Sequence, residues 1–395
     1  MERVLWFLLF NHCFVTFVCG YTLTDEQNLH TALLTGYNKD IRPGTDRSNT
    51  LVINASFLLL SINEFDLNAG KLSLTGVFAI SWFEERFAWN PATYNALEMT
   101  AIPQTKLWLP NFINTNPYED IRGLGSDLLT VDVFYTGKCT WFPLQAYKVI
   151  CDADVTNFPF DTQKCFMKFF IFGYQPNAVN VKFTSPRVDF DLYSENGIWE
   201  ILNSETYSVL NIYGLEDIFV VLHLKRRTAY YIVSLILPIS AFSLLMGFVF
   251  LLPNESGERL GFSTTVLLSI VVYLTIIQDM LPAVSEPNVS ILSYMLVTYV
   301  VSGALVVVFV IISSRIQSCP HEKPVPRCLA RLVICFRKKR TEIDVVENLQ
   351  TKSEMTDDYD VSWTDVGRVF DMTCFILSAV QFIVASVTYF LLVAK

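Results

Sequence analysis

The chain has 395 residues, of which 52% are hydrophobic and 17% charged, and its formal net charge is −9. So apolar a composition excludes a disordered chain and a purely soluble domain. The acidic balance excludes nucleic acid as a partner, because phosphate binding needs a basic face.

Residues 1–20 read as a secretory signal peptide. Arg3 precedes the apolar stretches Val4–Phe10 and Phe14–Val18, and the small residue Gly20 follows as a cleavage point. A signal anchor is the alternative, and the shortness of the stretch weighs against it. Residues 21–227 predict an all-β domain, preceded by a short helix over Asp25–Leu34 with Thr24 as its N-cap. Leu72, Leu74, Phe78, Ile80 and Trp82 alternate with Ser73, Thr75, Val77, Ala79 and Ser81, the period of two that marks a half-buried strand. Similar short strands recur near 51–60, 128–136, 147–151, 165–172 and 217–225. Asn68-Ala69-Gly70, Gly123–Gly125 and Asn196-Gly197 supply turns. Many short strands at this spacing predict an antiparallel β-sandwich.

Four membrane-length runs follow, the first three within 228–314. They are 228–254, 260–278, 287–314 and 372–394, each long enough to cross a hydrocarbon core of about 30 Å. Pro238 is expected to kink the first, which membrane helices tolerate. The linker 315–367 carries Arg315, Lys323, Arg327, Arg331 and the run Arg337-Lys338-Lys339-Arg340, whereas 279–286 has no Lys or Arg. The positive-inside rule puts that linker in the cytosol and the β-domain outside. Residues 368–395 then hold the fourth helix and an extracellular C-terminus, in a multi-pass plasma-membrane protein. Within the linker, Leu329, Leu332, Val333 and Phe336 fall at helical spacing among basic residues, as in a helix lying on the inner leaflet's lipid. Cys328 and Cys335 there are either palmitoylated or plain thiols. Residues 341–362 are acidic, polar and expected to be flexible. The fold class is thus an α+β membrane protein: an extracellular antiparallel β-sandwich followed by a four-helix transmembrane bundle.

Nine cysteines sort by compartment. Cys13 and Cys19 leave with the signal, and Cys139, Cys151 and Cys165 lie outside, so one of these three is unpaired. Cys319, Cys328 and Cys335 are cytosolic and Cys374 is in a span. No C-x-x-C spacing points to zinc. No nucleophile–base pair or metal-ligand cluster points to an enzyme, and no cofactor is expected.

The second span carries a pattern of its own. Glu258, Gly261, Thr265, Leu268, Val272, Thr275 and Asp279 recur at steps of three and four and share one helical face. Glu258 and Asp279 are separated by roughly 31 Å of helix, so one acid sits at each membrane surface. Several such helices around an axis would form a channel. Carboxylate rings at both mouths would draw monovalent cations, and rings of Leu268 and Val272 would make an apolar constriction that closes by dewetting. The alternative is a helix that packs its small-residue face on neighbours.

Several landmarks together resemble the Cys-loop family of pentameric ligand-gated ion channels, in its nicotinic acetylcholine receptor-like branch. They are Trp82, Trp108-Leu109-Pro110-Asn111, Phe158-Pro159-Phe160-Asp161 between Cys151 and Cys165, Asn196-Gly197-Ile198-Trp199, Arg226-Arg227, Leu252-Pro253, and Glu255-Ser256-Gly257-Glu258 before the second span. The Pro-Ala insertion of anion-selective members is absent, and Leu268 falls at the family's gate leucine. The resemblance pairs Cys151 with Cys165, leaving Cys139 free. It implies a homo- or hetero-pentamer and a small-molecule ligand, cationic or amphipathic, held in an aromatic cage by cation–π attraction.

Residue by residue, the cage departs from the family. Phe172 stands at the principal-face tryptophan, Tyr207 and Tyr213 fall in the capping hairpin, and Thr115 replaces the first-loop tyrosine. The adjacent cysteine pair is missing. Val77 replaces the complementary tryptophan, with Trp141 and Phe142 as replacement walls. These losses imply that acetylcholine is not a strong agonist. The resemblance assigns coupling between the domains to Phe158, Pro159, Phe160, Asp161, Pro282 and Arg226. Arg226 is expected to pair with Glu64 or Asp66, although Leu67 stands where the family has its acid; membrane-flanking snorkelling is the other reading. Asn54-Ala55-Ser56 is an external glycosylation sequon. An accessory subunit without its own agonist site, and a membrane-tethered binding protein without a conducting pore, are the competing readings.

Overall fold

A computed structural model describes residues 20–253, 258–282, 289–320, 361–393 and part of 325–334. The signal peptide, Cys328, Cys335, most of the basic amphipathic stretch and the acidic linker lie outside the described residues. The chain divides into two units. One comprises 1–153 with 162–225, the other 154–161 with 226–395.

The first unit opens with helix α1, Leu23–Leu34. Its N-cap is Thr22 rather than Thr24. The Thr22 hydroxyl accepts the Asp25 N–H at 3.3 Å, and the Asp25 carboxylate accepts the Thr22 N–H at 2.8 Å. This reciprocal box outcompetes the later threonine because Asp25 falls at the third helical position. Eleven strands follow: β1 Leu51–Asp66, β2 Lys71–Ala88, β3 Met99–Pro103, β4 Phe112–Asn114, β5 Thr130–Phe134, β6 Thr136–Trp141, β7 Leu144–Ile150, β8 Thr162–Ile171, β9 Val179–Phe183, β10 Trp199–Leu210 and β11 Glu216–Arg226. Seven form a sheet in the order β3-β5-β6-β2-β1-β9, with β7 also on β2, and four form the sheet β10-β11-β8-β4. Strand β1 pairs with β9 in parallel, from Leu51↔Val179 to Ala55↔Phe183, while its pairing with β2, those of β2 with β6 and β7, and that of β8 with β11 are antiparallel.

The alternation expected in β2 holds. Leu72, Leu74, Phe78, Ile80 and Trp82 are buried while Thr75, Val77, Ala79 and Ser81 are half-buried; Ser73 departs, being buried as well. The core between the sheets is aromatic, with Phe78 edge-on to Phe169 at 5.1 Å and to Phe57 at 4.9 Å. Such pairs contribute about 0.5–1.5 kcal/mol each beyond the area they bury. Gly76 sits where a Cβ would lie 2.4 Å from the Phe57 ring, so the close approach of β1 and β2 requires glycine there. Asn54 lies within β1, half-buried and paired on both sides to Ser81 and Lys182, rather than in a loop.

Cys151 and Cys165 form the disulfide, with Cα atoms 5.3 Å apart. Its loop constrains the unfolded chain and is worth roughly 3 kcal/mol. Cys139 is a free, fully buried thiol. Burial, with Glu84 nearby, pushes that thiol well above its ordinary range. Cys139 is therefore expected to resist maleimide in the folded protein and to react promptly in denaturant. Labelling followed by peptide mass spectrometry checks this.

The second unit has four helices long and apolar enough to cross a membrane: α2 Ala229–Leu251, α3 Glu258–Met280, α4 Ile291–Gln317 and α5 Trp363–Val393. In α2 a π turn over Ile232–Ile236 precedes Pro238. Pro238 has no N–H to donate, and the widened turn before it accommodates the ring. Helix α5 begins at Trp363, well before the uncharged run at 372. Ser362 caps it by accepting the Asp365 N–H at 3.3 Å and donating its own N–H to the Asp365 carboxylate at 3.2 Å. The charges of Asp365, Arg368 and Asp371 hide this first part from a hydropathy reading.

Candidate functional site

Helix α3 is divided sharply by face. Arg259, Ser263, Val266, Ile270 and Ile277 are buried against neighbouring helices. Glu258, Gly261, Thr265, Leu268, Val272, Thr275 and Asp279 are all exposed, Leu268 by 62% and Val272 by 48%. The seven-residue stripe is thus the uncovered side of the helix. The Thr265 hydroxyl donates to the Gly261 carbonyl at 2.8 Å and that of Thr275 to the Val272 carbonyl at 2.7 Å. Each hydroxyl proton is satisfied within the helix, which leaves oxygen lone pairs facing outward, a lining that can accept from water or coordinate a cation.

Sequence reading passed over the residue next to Glu258. Arg259 is 2% exposed and forms an ion pair at 3.1 Å with Asp371 of α5. Its guanidinium also donates to the carbonyls of Val249 and Phe250 at 3.2 and 3.1 Å. Asp371 accepts in turn from Ser313 at 2.5 Å and from Gln317 at 2.8 Å. An ionised pair in a membrane bundle is tolerated only with such full pairing. The signal was present in the charges that flank the second and fourth apolar runs.

Among the described residues, Arg226 is the other buried cation of this unit. Its expected partners are corrected: Arg226 is bidentate to Asp161, with Nε–Oδ1 2.7 Å and Nη2–Oδ2 2.9 Å. The ladder explains the choice. Lys225 pairs with Thr162 between β11 and β8, so the next position brings Arg226 to Asp161. Glu64 is instead engaged by Lys71 at 2.9 Å, and Asp66 accepts the N–H groups of Asn68 and Ala69 in the hairpin turn. The Arg226 side chain is 3% exposed and that of Asp161 1%, so simple snorkelling is not its role. The guanidinium also lies 5.0 Å from the Phe158 ring and 5.2 Å from that of Tyr231. Tyr389 of α5 donates to the Phe158 carbonyl at 3.3 Å, and the Thr156 carbonyl accepts the first N–H of α4, from Ile291, at 3.0 Å. The segment 154–161 is therefore built into the helical unit, although the disulfide that closes its loop belongs to the β-unit. Pro159 and Pro282 are buried and Phe160 half-buried.

The expected ligand residues separate by sheet. Phe172 follows β8, Thr115 follows β4, Tyr207 lies on β10 and Tyr213 in the turn between β10 and β11, all on the four-stranded sheet. Phe172 is 57% and Tyr213 81% exposed. Tyr207 stacks on Phe219 at 5.1 Å, a ring that sequence reading missed. The Lys168 ammonium sits 5.7 Å over Phe219 and pairs with Asp217 at 2.8 Å. The protein thus supplies a cation of its own to this aromatic surface. Thr115 is tied to the Lys168 carbonyl through both its N–H, at 2.8 Å, and its hydroxyl, at 3.2 Å. Val77 and Trp141 belong to the seven-stranded sheet. Val77 keeps the face opposite Trp82, as expected. Trp141 is corrected: it is 1% exposed and its indole donates to Gln104 at 3.0 Å. Its strand parity turns it into the core, and the neighbouring Phe142 is the exposed ring. Among the described residues no group of His, Cys, Asp and Glu could hold a metal ion.

Comparison with known proteins agrees with this layout. Residues 26–228 match the neurotransmitter-gated ion-channel ligand binding domain and residues 235–339 the neurotransmitter-gated ion-channel transmembrane region. Relatives include the acetylcholine receptor subunit alpha of Danio rerio, 30% identical over 317 residues, covering 78% of this chain and 69% of that protein. The neuronal acetylcholine receptor subunit beta-3 of Gallus gallus is 32% identical over 298 residues, covering 74% and 65%. The acetylcholine receptor subunit alpha-like 2 of Drosophila melanogaster is 30% identical over 303 residues, covering 73% and 52%. The chain thus spans between about half and about two-thirds of these relatives' length. A β-sandwich unit matched by the ligand-binding model, and a four-helix unit whose first three helices fall largely within the transmembrane match, make this chain a multi-pass membrane protein of the neurotransmitter-gated ion-channel family, whose members are not enzymes.

Proposed function

We propose that the chain is a subunit of a cation-selective pentameric channel, opened by a small molecule bound between the β-domains of neighbouring subunits. The observation that carries this reading is the uncovered stripe of α3. Every residue from Glu258 to Asp279 in the three-and-four series is exposed, while the opposite face is packed. A membrane helix does not leave an acid at each end and hydroxyls between them facing lipid, so the stripe fits a water-filled lumen made with other subunits. The β-domain then lies outside the cell, and both termini with it. Phe172, Tyr207 and Tyr213 supply the principal wall of the ligand site and Val77 the opposing wall, a surface suited to a cationic or amphipathic ligand other than acetylcholine.

Single cysteines placed along α3 test the stripe. Those at 261, 265, 268, 272 and 275 are expected to be modified by charged thiosulfonate reagents with loss of current, and those at 263, 266 and 270 to be spared. Uniform reactivity around the helix would remove the pore reading. Replacing external sodium with a large organic cation is expected to abolish inward current, and replacing chloride to leave the reversal potential unmoved. The accessory-subunit reading is favoured by Val77 and by the absent cysteine pair; recovery of pentamers from cells expressing this chain alone counts against it.

A further inference from the structure

One carboxylate of the seven-stranded sheet stands apart from the ion pairs above. Asp132 lies in β5, half-buried, and meets no hydrogen-bond donor and no cation among the described residues. Burial alone acts on its carboxyl and raises it above the ordinary carboxylate range. A partly desolvated carboxylate without a partner is unfavourable, and native proteins rarely leave such a group without a reason.

The register fixes the face from which it projects. Asp132 pairs with Thr140 of β6 on one side and with Ala101 of β3 on the other, and Thr140 pairs in turn with Ser81 of β2. Residues directly opposite one another share a face, so Ala101, Asp132, Thr140 and Ser81 form one row across four strands. Val77 lies four residues from Ser81 along β2 and therefore on the same face. Leu144, opposite Val77, is 51% exposed. Lys138, two residues from Thr140, is a further charge on this face; it is exposed and makes no ion pair among the described residues. The neighbours of Asp132 in its row are small, so the carboxylate stays within reach of a group approaching this wall. The four-stranded sheet is less suited to a ligand's cation. Phe219, on which Tyr207 stacks, already has the Lys168 ammonium above it.

We propose that Asp132 is the counter-charge for the ligand, and that the ligand is a protonated primary or secondary amine on an aromatic body. The inference rests on the reading that the face bearing Val77 is the opposing wall of the ligand site. An ammonium with N–H groups donates to a carboxylate, and hydrogen bonds between ionised groups are the strong kind. A quaternary ammonium has no N–H and is suited to a cage of rings instead, and that cage has lost walls at Thr115 and Val77. The charge of the ligand is thus met on the Val77 wall, and its aromatic body lies toward Phe172 and Tyr213. An ammonium beside Asp132 also favours the ionised carboxylate and offsets the burial that opposes it.

The test uses cells expressing the full chain with Leu268→Thr, whose expected ligand-free sodium current serves as the reporter. Recording at positive potential keeps external cations out of the lumen. The probes are phenethylamine, phenethyltrimethylammonium, which lacks the N–H, and phenethyl alcohol, which lacks the charge. Phenethylamine is expected to raise the current saturably. Each of the other two should require at least about tenfold higher concentration for the same rise, because each leaves the carboxylate imperfectly paired. Asp132→Asn should weaken phenethylamine about tenfold and phenethyltrimethylammonium less than about twofold, with Asp132→Glu between Asn and the parent. Solubilised without a probe, Asp132→Asn should unfold no earlier than the parent, since the lost carboxylate has no partner, so a lost response is not a folding failure. Equal potency of the primary and quaternary amines, an unchanged response in Asp132→Asn, or no response to phenethylamine at millimolar concentration would each overturn the proposal. Loss of pentamers in Asp132→Asn would assign the carboxylate to subunit contact and overturn it as well. Absence of current before any probe is added counts instead against the pore reading; the shift of the thermal unfolding midpoint with the same probes and variants then decides on Asp132 by the same order of potencies.

Discussion

Sodium current without any added ligand is the expected result of Leu268→Thr. Leu268 stands at mid-height on the uncovered face of α3, more exposed than any other apolar member of its stripe. Around a lumen, a ring of such side chains excludes water and so blocks ions. A leucine side chain is worth about 1.5–3 kcal/mol in its preference for an apolar setting. Replacing even part of that preference with a hydroxyl, in each copy, is enough to move a closed–open equilibrium by orders of magnitude, since about 1.4 kcal/mol is a factor of ten. Voltage clamp of cells expressing the variant, with sodium, organic cation and chloride substitutions, reads the outcome. Val272→Thr, one turn away, should act in the same direction and less strongly. Silence from both variants, with the protein confirmed at the surface, would overturn the self-assembling pore and favour the accessory-subunit reading.

Arg226→Ala and Asp161→Ala are each expected to be severely destabilising. Removing one partner strands an unpaired charge at a site only 1–3% exposed, at a cost of about 3–5 kcal/mol. The double variant Arg226→Met with Asp161→Leu should recover more than half of that loss, because no buried charge remains. Arg226→Lys should fall between, since an ammonium cannot reproduce the two-pronged contact. Thermal unfolding of the solubilised chain measures all four. Additive single effects, with no recovery in the double variant, would show that the pair is not coupled. Phe158 and Tyr231 flank the same guanidinium, so Tyr231→Phe, which removes only one hydroxyl contact, should be mild.

The architecture was legible wherever one physical signal dominated. The alternation in β2 and the four apolar runs are such signals: burial follows the alternation almost position for position, and each run coincides with one long apolar helix. Strand β10 was not legible, because Glu200, Asn203, Ser204 and Glu205 give it the polarity of a loop; it is an edge strand with much of its length exposed. The β1–β9 pairing joins segments more than a hundred residues apart in parallel, and no local pattern encodes that. The site residues divide in the same way. The α3 stripe follows from helical period alone. Trp141 against Phe142 was a question of parity, settled only by the register Trp82↔Cys139 and Ile80↔Trp141 that locks β6 to β2. The partner of Arg226 likewise needed the β8–β11 register. The Arg259–Asp371 pair lay at the ends of two runs, where a search for uncharged stretches discards the charges that matter.

That pair also bears on the electric potential at the end of α3. Glu258 and Arg259 are successive residues, and a helix turns them roughly 100° apart. Left to itself, the guanidinium would offset the carboxylate beside it. Because Asp371, Ser313 and two carbonyl groups hold Arg259 inward, its charge is neutralised within the bundle and the charge of Glu258 stays undiminished. Asp371, a residue of the fourth helix with no place on the stripe, thereby acts as a screen. It lets an acid and a base adjacent in sequence serve two different surroundings without cancelling each other.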